Sequence, residues 1–312
     1  MNTIREKPLS DDLPFGARVT GVNIENLRDA DTRDRINLIF HDRGMIVFEN
    51  MEPSNRLQVE LSKVFGLLQG HALDVSEVEG DDAVPGMVDF DSRPEDTDIF
   101  EVNGKELSNY IPWHFDACYT RELNRGGVLR ALVVPPEGGE TGFADGIQIY
   151  QGISPELRAT FRDLNIIYNS NLMFQKMRFG RPESYHPVRT GKHADYLLTQ
   201  TEGATRAIHP AIWQRESGEK VLHVSPWQAD GIEGREGRDG DELLEALCRE
   251  MYACMTPYFH AWKTTDMVIW DNWRFIHSAC GNDPGYTRRM HRTTIKGDYG
   301  LGHFEGDREQ KP

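Results

Sequence analysis

Two residues apart in Trp113-His114-Phe115-Asp116 stand a histidine and a carboxylate. On a strand, where side chains alternate with period two, such a pair points to one face. His114 and Asp116 are thus two ready metal ligands. A third, His277, completes a set of two histidines and one carboxylate, which occupies one face of an octahedral metal and leaves the other positions open. Open positions are what an oxygen-activating Fe(II) needs. Thr141 lies 27 residues beyond His114, in Gly138-Gly139-Glu140-Thr141-Gly142, while Arg288 and Arg292 follow His277 by 11 and 15 residues.

Together these residues and spacings resemble the Fe(II)- and 2-oxoglutarate-dependent dioxygenases of the taurine dioxygenase and 2,4-dichlorophenoxyacetate dioxygenase family, over nearly the whole chain from about Phe15 to Asp298. The resemblance implies a soluble oxidoreductase. It would oxidise a small organic substrate, by hydroxylation with or without collapse to C–S or C–O cleavage, while O2 converts 2-oxoglutarate to succinate and CO2. It makes His114, Asp116 and His277 the Fe(II) ligands and sets Arg288, with Thr141, on the distal carboxylate of 2-oxoglutarate. A guanidinium fork matches a carboxylate as a lysine does not. His71, Arg292 and Phe174 are then the substrate contacts, and the arginine implies an anionic substrate. Other roles stay open at three of these positions. His71 can be a loop histidine bonded to backbone, Arg292 can sit in a structural ion pair, and the apolar run 171–179 around Phe174 can be core filling rather than a lid. Asp116 favours hydroxylation over halogenation, since related halogenases put a small residue there; desaturation or ring formation needs the same ligands.

The elements that must position these residues are short. Residues 15–22 alternate as a strand, 31–41 carry a helical stripe ending before Gly44, and Met45-Ile46-Val47-Phe48 suits a buried strand. Ser54 is placed to cap a helix with Leu57, Leu61, Val64 and Phe65 on one face. Residues 128–134 read as a core strand, 135–139 as a turn, 145–150 as the lead into a short helix, and 155–164 as a helix capped by Ser154. A hairpin is expected around 216–219, a helix over 241–255 ended by Pro257, and an apolar stretch 266–272 leading to His277. Many short strands between Gly and Pro turns predict a mainly β, α+β fold: a double-stranded β-helix, or jelly roll, with flanking helices. No repeat or linker divides the 312 residues, so one domain is expected, with a polar, frayed tail from about 299.

Composition narrows the partners. With 35 basic and 50 acidic residues the net charge is −15, which argues against nucleic-acid phosphates and anionic membranes. No apolar run approaches the roughly 20 residues of a membrane span, and no signal-peptide core follows Met1, so a cytoplasmic protein is expected. No oligomeric state is legible, a homo-oligomer being one option. Residues 74–101 hold eleven acidic residues and Arg93, and read as a solvated loop or part of a lid. Cys118, Cys248, Cys254 and Cys280 lack a disulfide or CxxC pattern and read as reduced thiols; Cys118 shares the parity of His114 and Asp116 and would face the same interior if their strand continued. Two other classes use parts of this pattern. A Zn hydrolase can use two histidines and a carboxylate, though it has no need of Arg288 and Thr141, and a jelly roll can be a non-catalytic binding module.

Overall fold

Apolar runs broken by Gly and Pro sort into two main sheets. The computed structural model describes residues 4–72, 78, 84, 86–170, 172, 176–192 and 203–307. Within them an 8-stranded sheet takes the order Arg5–Pro8, Ala17–Thr20, Met45–Phe48, Met267–Asp271, Gly126–Val133, Arg288–Ile295, Leu68–Gln69, and Met87–Ser92 also pairs with Arg288–Ile295. A 6-stranded sheet runs Tyr185–Arg189, Ile99–Val102, Lys105–His114, Phe275–Asn282, Thr141–Asp145, Tyr258–His260. One pairing, Ala17–Thr20 with Met45–Phe48, is parallel; the others in both sheets are antiparallel.

The two sheets face each other. Met45, Val47, Ala131, Val268, Trp270 and Met290 of the larger meet Phe143 and Phe275 of the smaller in one buried cluster. On the other side of the larger sheet, Val19, Ile46, Phe48, Met267 and Ile269 pack beneath Ile36, Ile39 and Phe40 of helix Ala30–Arg43 and Leu57 and Leu61 of helix Asn55–Ser62. Covered on both faces, Met45–Phe48 is buried at every position, which is why it reads as an unbroken apolar run rather than an alternation. A 4-stranded sheet and helix Arg238–Cys254 build a further cluster around Phe115, Tyr168, Leu244 and Met251.

Most expected elements form, and their ends have local causes. The Asp29 carboxylate accepts from the Thr32 N–H at the start of Ala30–Arg43, and Gly44 closes it at φ 71, where a Cβ would lie 2.6 Å from Phe275. Ser54 Oγ accepts from the Leu57 N–H at 3.1 Å, as the cap predicts. The helix it starts stops at Ser62, so Val64 and Phe65 pack from the following turn. The expected 155–164 helix spans Pro155–Phe161, and the hairpin pairs Ile212–Gln214 with Lys220–Leu222. No helix among the described residues is long and apolar enough to cross a membrane. All four cysteines are free.

Two expectations need correction. The acidic segment is not simply a solvated loop, for Met87–Ser92 and Ile99–Val102 are strands within it. Charge hid the period: Met87 and Val88 are buried, and Asp89 takes Arg289 at 3.0 and 2.6 Å instead of water. Residues 73–77, 79–83 and 85 of this segment lie outside the described residues. The tail does not fray at 299 either. Tyr299 is buried among the rings of His209, Trp213 and Trp273, and His303–Phe304 pairs with Ala207–Ile208.

Candidate active site

His114 and His277 are cross-strand partners. Strand Lys105–His114 runs beside Phe275–Asn282 with His277 opposite His114, and the register shifts by a bulge just past this pair. Their ring centroids are 4.2 Å apart. Asp116 arrives differently from the sequence expectation. The strand ends at His114, and Asp116 lies in a turn whose next residue, Ala117, has φ 57. Turn geometry, not strand parity, brings the carboxylate to the histidines. Cys118 likewise leaves the pattern and donates to Gln228 Oε1 at 2.9 Å, within the cluster around Phe115.

One ligand atom from each of His114, Asp116 and His277 lies within 4.8 Å of the others. Asp116 Oδ1 stands 3.7 Å from His277 Nε2 and 4.0 Å from His114 Nε2. Electrostatics prepare all three as donors. Burial pushes the His114 imidazole below its usual range, against the opposing pull of Asp116 and the Pro112 carbonyl, and burial with the neighbouring His114 drives His277 well below. Burial opposes ionisation of Asp116, yet Arg292, His277 and His114 more than offset it and hold the carboxyl well below the ordinary carboxylate range. His114 Nδ1 is 2.7 Å from the Pro112 carbonyl, so it carries the proton and leaves the Nε2 lone pair for a metal. Two neutral imidazoles and an ionised carboxylate fit Fe(II).

Around this set the larger sheet presents one face of strand Arg288–Ile295. Arg288, Met290 and Arg292 share it by alternation, and Met290 belongs to the cluster between the sheets. Among the described residues, Arg288 makes no hydrogen bond or ion pair. Loss of hydration pushes its guanidinium down to about 10, so it stays charged at neutral pH without a carboxylate partner. Its Nε is 3.5 Å from where a Cβ on Gly139 would stand, two residues before Thr141. Thr141 is buried and accepts from Trp262 Nε1 at 3.0 Å, which leaves its hydroxyl proton to donate.

Arg292 reaches Asp116 itself, with NH1 to Oδ1 at 3.0 Å and NH2 to Oδ2 at 2.6 Å. Of the two roles open to it in the sequence, the ion pair is present in this structure, and its partner is one of the candidate ligands. Gly127 makes the room: a Cβ there would be 2.9 Å from Arg292 Nε. His71 is half-buried, two residues past strand Leu68–Gln69, which pairs with Thr294 and Ile295 on the arginine strand. Phe174 lies outside the described residues; of its neighbours, Met177 and Phe179 are buried in apolar clusters.

Sequence reasoning missed three neighbours. Trp227 sets its ring edge-on to His114 with centroids 5.1 Å apart. Phe90 stands opposite Met290 on the inner face, in register between Arg288 and Arg292, and is 38% exposed. Asn272 bonds the backbone of Asp116 on both sides. Only Asn272 carried a signal, a polar side chain between the apolar strand 267–271 and His277. The others act through pairings that no local pattern encodes.

Two buried histidines near the ligands, His209 and His223, are held neutral by burial, with pKa values lowered to about 4 and about 3. In the unfolded chain they titrate near about 6.5. Below that pH the unfolded state binds protons that the folded state refuses, so folded stability falls as pH falls. Metal-free protein is therefore expected to hold its full stability above about pH 6.5 and lose it progressively toward pH 4, with His223→Phe flattening the slope in urea titrations at several pH values. A slope unchanged in the variant counts against a neutral buried His223.

A mainly antiparallel β fold with helices outside, and two neutral histidines converging with an ionised aspartate, fit a non-haem Fe(II) site with open coordination positions. The chain belongs to the TauD/TfdA family, for the family model described as taurine catabolism dioxygenase TauD, TfdA family, matches residues 5–294. It is an Fe(II)- and 2-oxoglutarate-dependent dioxygenase that uses O2. An (S)-phenoxypropionate/alpha-ketoglutarate-dioxygenase of Sphingobium herbicidovorans is 29% identical over 292 residues, covering 92% of this chain and 93% of the relative. An alpha-ketoglutarate-dependent 2,4-dichlorophenoxyacetate dioxygenase of a Burkholderia species is 26% identical over 283 residues, covering 87% of each. In fold, the chain matches a taurine dioxygenase from Burkholderia xenovorans with a TM-score of 0.69 at 21% identity, over 97% of this chain and 96% of the other.

Proposed function

We propose that this dioxygenase oxidises a small organic acid of the aryloxyalkanoate kind at the carbon next to its ether oxygen. The two facing sheets are read as a jelly roll forming one catalytic domain, with His114, Asp116 and His277 as the Fe(II) ligands. The observation that carries the reading is the charged Arg288 with no partner among the described residues, on the same strand face as Arg292 at Asp116. A half-buried, partly dehydrated cation of this kind calls for an anion from solution, and the distal carboxylate of 2-oxoglutarate supplies it, with Thr141 donating a hydroxyl proton.

When bound, iron with 2-oxoglutarate and O2 supplies the oxidation, giving succinate and CO2. The chain supplies placement. Arg292 holds Asp116 and, with His71, is read as the contact for the substrate carboxylate. Phe90, the exposed ring on the inner face, gives an apolar surface for the rest of the substrate, and Phe174 would add to it. Hydroxylation beside an ether oxygen makes a hemiacetal, which collapses to a phenol and a keto acid, so C–O cleavage needs no further catalytic group. The names of the phenoxy acid relatives support this class, and the four free thiols support a reducing, cytoplasmic setting.

The test is aerobic succinate release by purified protein with Fe(II), ascorbate and 2-oxoglutarate, with a panel of aryloxy acids, alkyl sulfonates and the neutral amides of the same acids. Stimulation by an aryloxy acid at least about 10-fold over its amide is expected, the order of one charged hydrogen-bonded contact. Equal turnover of acid and amide overturns the anionic substrate, and stimulation by sulfonates alone moves the substrate class.

A further inference from the structure

We propose that the Asn272 side chain is a positioning residue that sets the iron carboxylate, Asp116, relative to the iron histidine His277. The chain leaves its sheet at His114, so the peptide groups of Asp116 have no strand beside them. Asn272 takes the place of that strand. Its Oδ1 accepts from the Asp116 N–H at 2.8 Å, and its Nδ2 donates to the Asp116 carbonyl at 3.1 Å. Nδ2 also donates to the Asn124 carbonyl and side-chain oxygens at 3.2 and 3.1 Å. The amide is completely buried and can adopt only one orientation, since rotating it would set donor against donor at Asp116.

The turn that carries Asn272 is itself tied down. The Asn272 N–H donates to the Arg125 carbonyl at 3.1 Å, and its carbonyl accepts from His223 Nε2 at 2.8 Å. The His223 ring stacks on Phe115, next to Asp116, at 3.8 Å. Trp273 Nε1 donates to the Leu123 carbonyl at 3.3 Å, Arg125 lies over the Trp273 ring at 4.5 Å, and Asp271 pairs with Arg125. Residues 271–273 thus grip the segment 116–125 at both of its ends. The same turn passes directly into Phe275–Asn282, and His277 follows Asn272 by five residues. One turn therefore fixes two of the three candidate ligands, one through its backbone and one through an amide.

This inference rests on the reading of His114, Asp116 and His277 as the metal ligands, and the experiment separates the two. Anaerobic equilibrium dialysis with Fe(II), and the visible spectrum of Co(II)-loaded protein, are compared for wild type, Asp116→Ala, Asn272→Ala and Asn272→Asp. Asp116→Ala that binds metal like wild type overturns the ligand reading. With that reading upheld, Asn272→Ala is expected to weaken Fe(II) by about 10- to 100-fold and to shift the Co(II) bands at saturating metal, the scale of losing a partner that orients a metal ligand. A purely structural Asn272 would lower the melting temperature and leave both unchanged, which overturns the proposal. Where Asn272→Ala does not fold, Asn272→Asp decides, since it keeps the shape and the acceptor for the Asp116 N–H and removes the amide donor to the Asp116 carbonyl. A several-fold weaker Fe(II) affinity supports the proposal, and wild-type affinity with a wild-type spectrum overturns it.

Discussion

His114→Ala is expected to lower O2-dependent succinate release by about a thousand-fold or more, equivalent to about 4 kcal/mol of barrier. Three donors make up the proposed metal site, and no other group of three or more His, Cys, Asp or Glu among the described residues is placed to hold a metal ion. The buried position makes rescue by water poor, because His114 is closed in by the Trp227 ring and by His277. Removal also takes away the imidazole beside Asp116 and leaves that carboxylate more firmly with Arg292. The measurement is succinate formed per protein, with Fe(II) binding in parallel. Succinate at the wild-type rate, with metal still bound, would move the iron to other ligands.

Arg288→Ala is expected to raise the dissociation constant for 2-oxoglutarate by roughly 100-fold, about 3 kcal/mol, while Fe(II) affinity stays within about 2-fold of wild type. The split follows from position. Arg288 is four residues from Arg292 on the same strand face and pairs with no ligand residue, so its loss removes an anion receptor and spares the donor set. Arg288→Lys should recover only part of the loss, because an ammonium offers a point charge where the guanidinium offers a fork. Anaerobic titration of Fe(II)-loaded protein with 2-oxoglutarate reads both. An unchanged constant in the alanine variant would sink the assignment of Arg288 to the distal carboxylate.

How much of this was legible depends on range. Local chemistry was: the caps at Ser54 and Ser154 and the buried run Met45–Phe48 follow from neighbours in sequence, and the structure has them. His114, Asp116 and His277 were legible as a donor set, yet the reason given for the first two was wrong, since the strand stops between them and a turn does the aiming. Strand Met87–Ser92 was hidden because Asp89 and Asp91 read as solvated charge until Arg289 and Arg93 meet them. The Arg292–Asp116 pair spans 176 residues, and the Asn272 clamp 156. No period or spacing announces contacts of that reach; closure of two sheets creates them.

Arg288 and Arg292 sit on one strand, four residues apart, facing the same way. At about 3.3 Å per residue that is a graduated rule of roughly 13 Å along the backbone, between a residue whose guanidinium has no partner among the described residues and the one whose guanidinium grips Asp116. The rule is tolerant of side-chain change around it but not of length change within it. Slipping the strand by one residue would turn Arg289 and Thr293 inward and send both working arginines to the helix side. Substrate preference can therefore drift through the surrounding loops while the distance between the proposed cosubstrate anchor and the proposed metal carboxylate stays constant, and a single inserted residue between 288 and 292 should be harder to tolerate than many substitutions elsewhere.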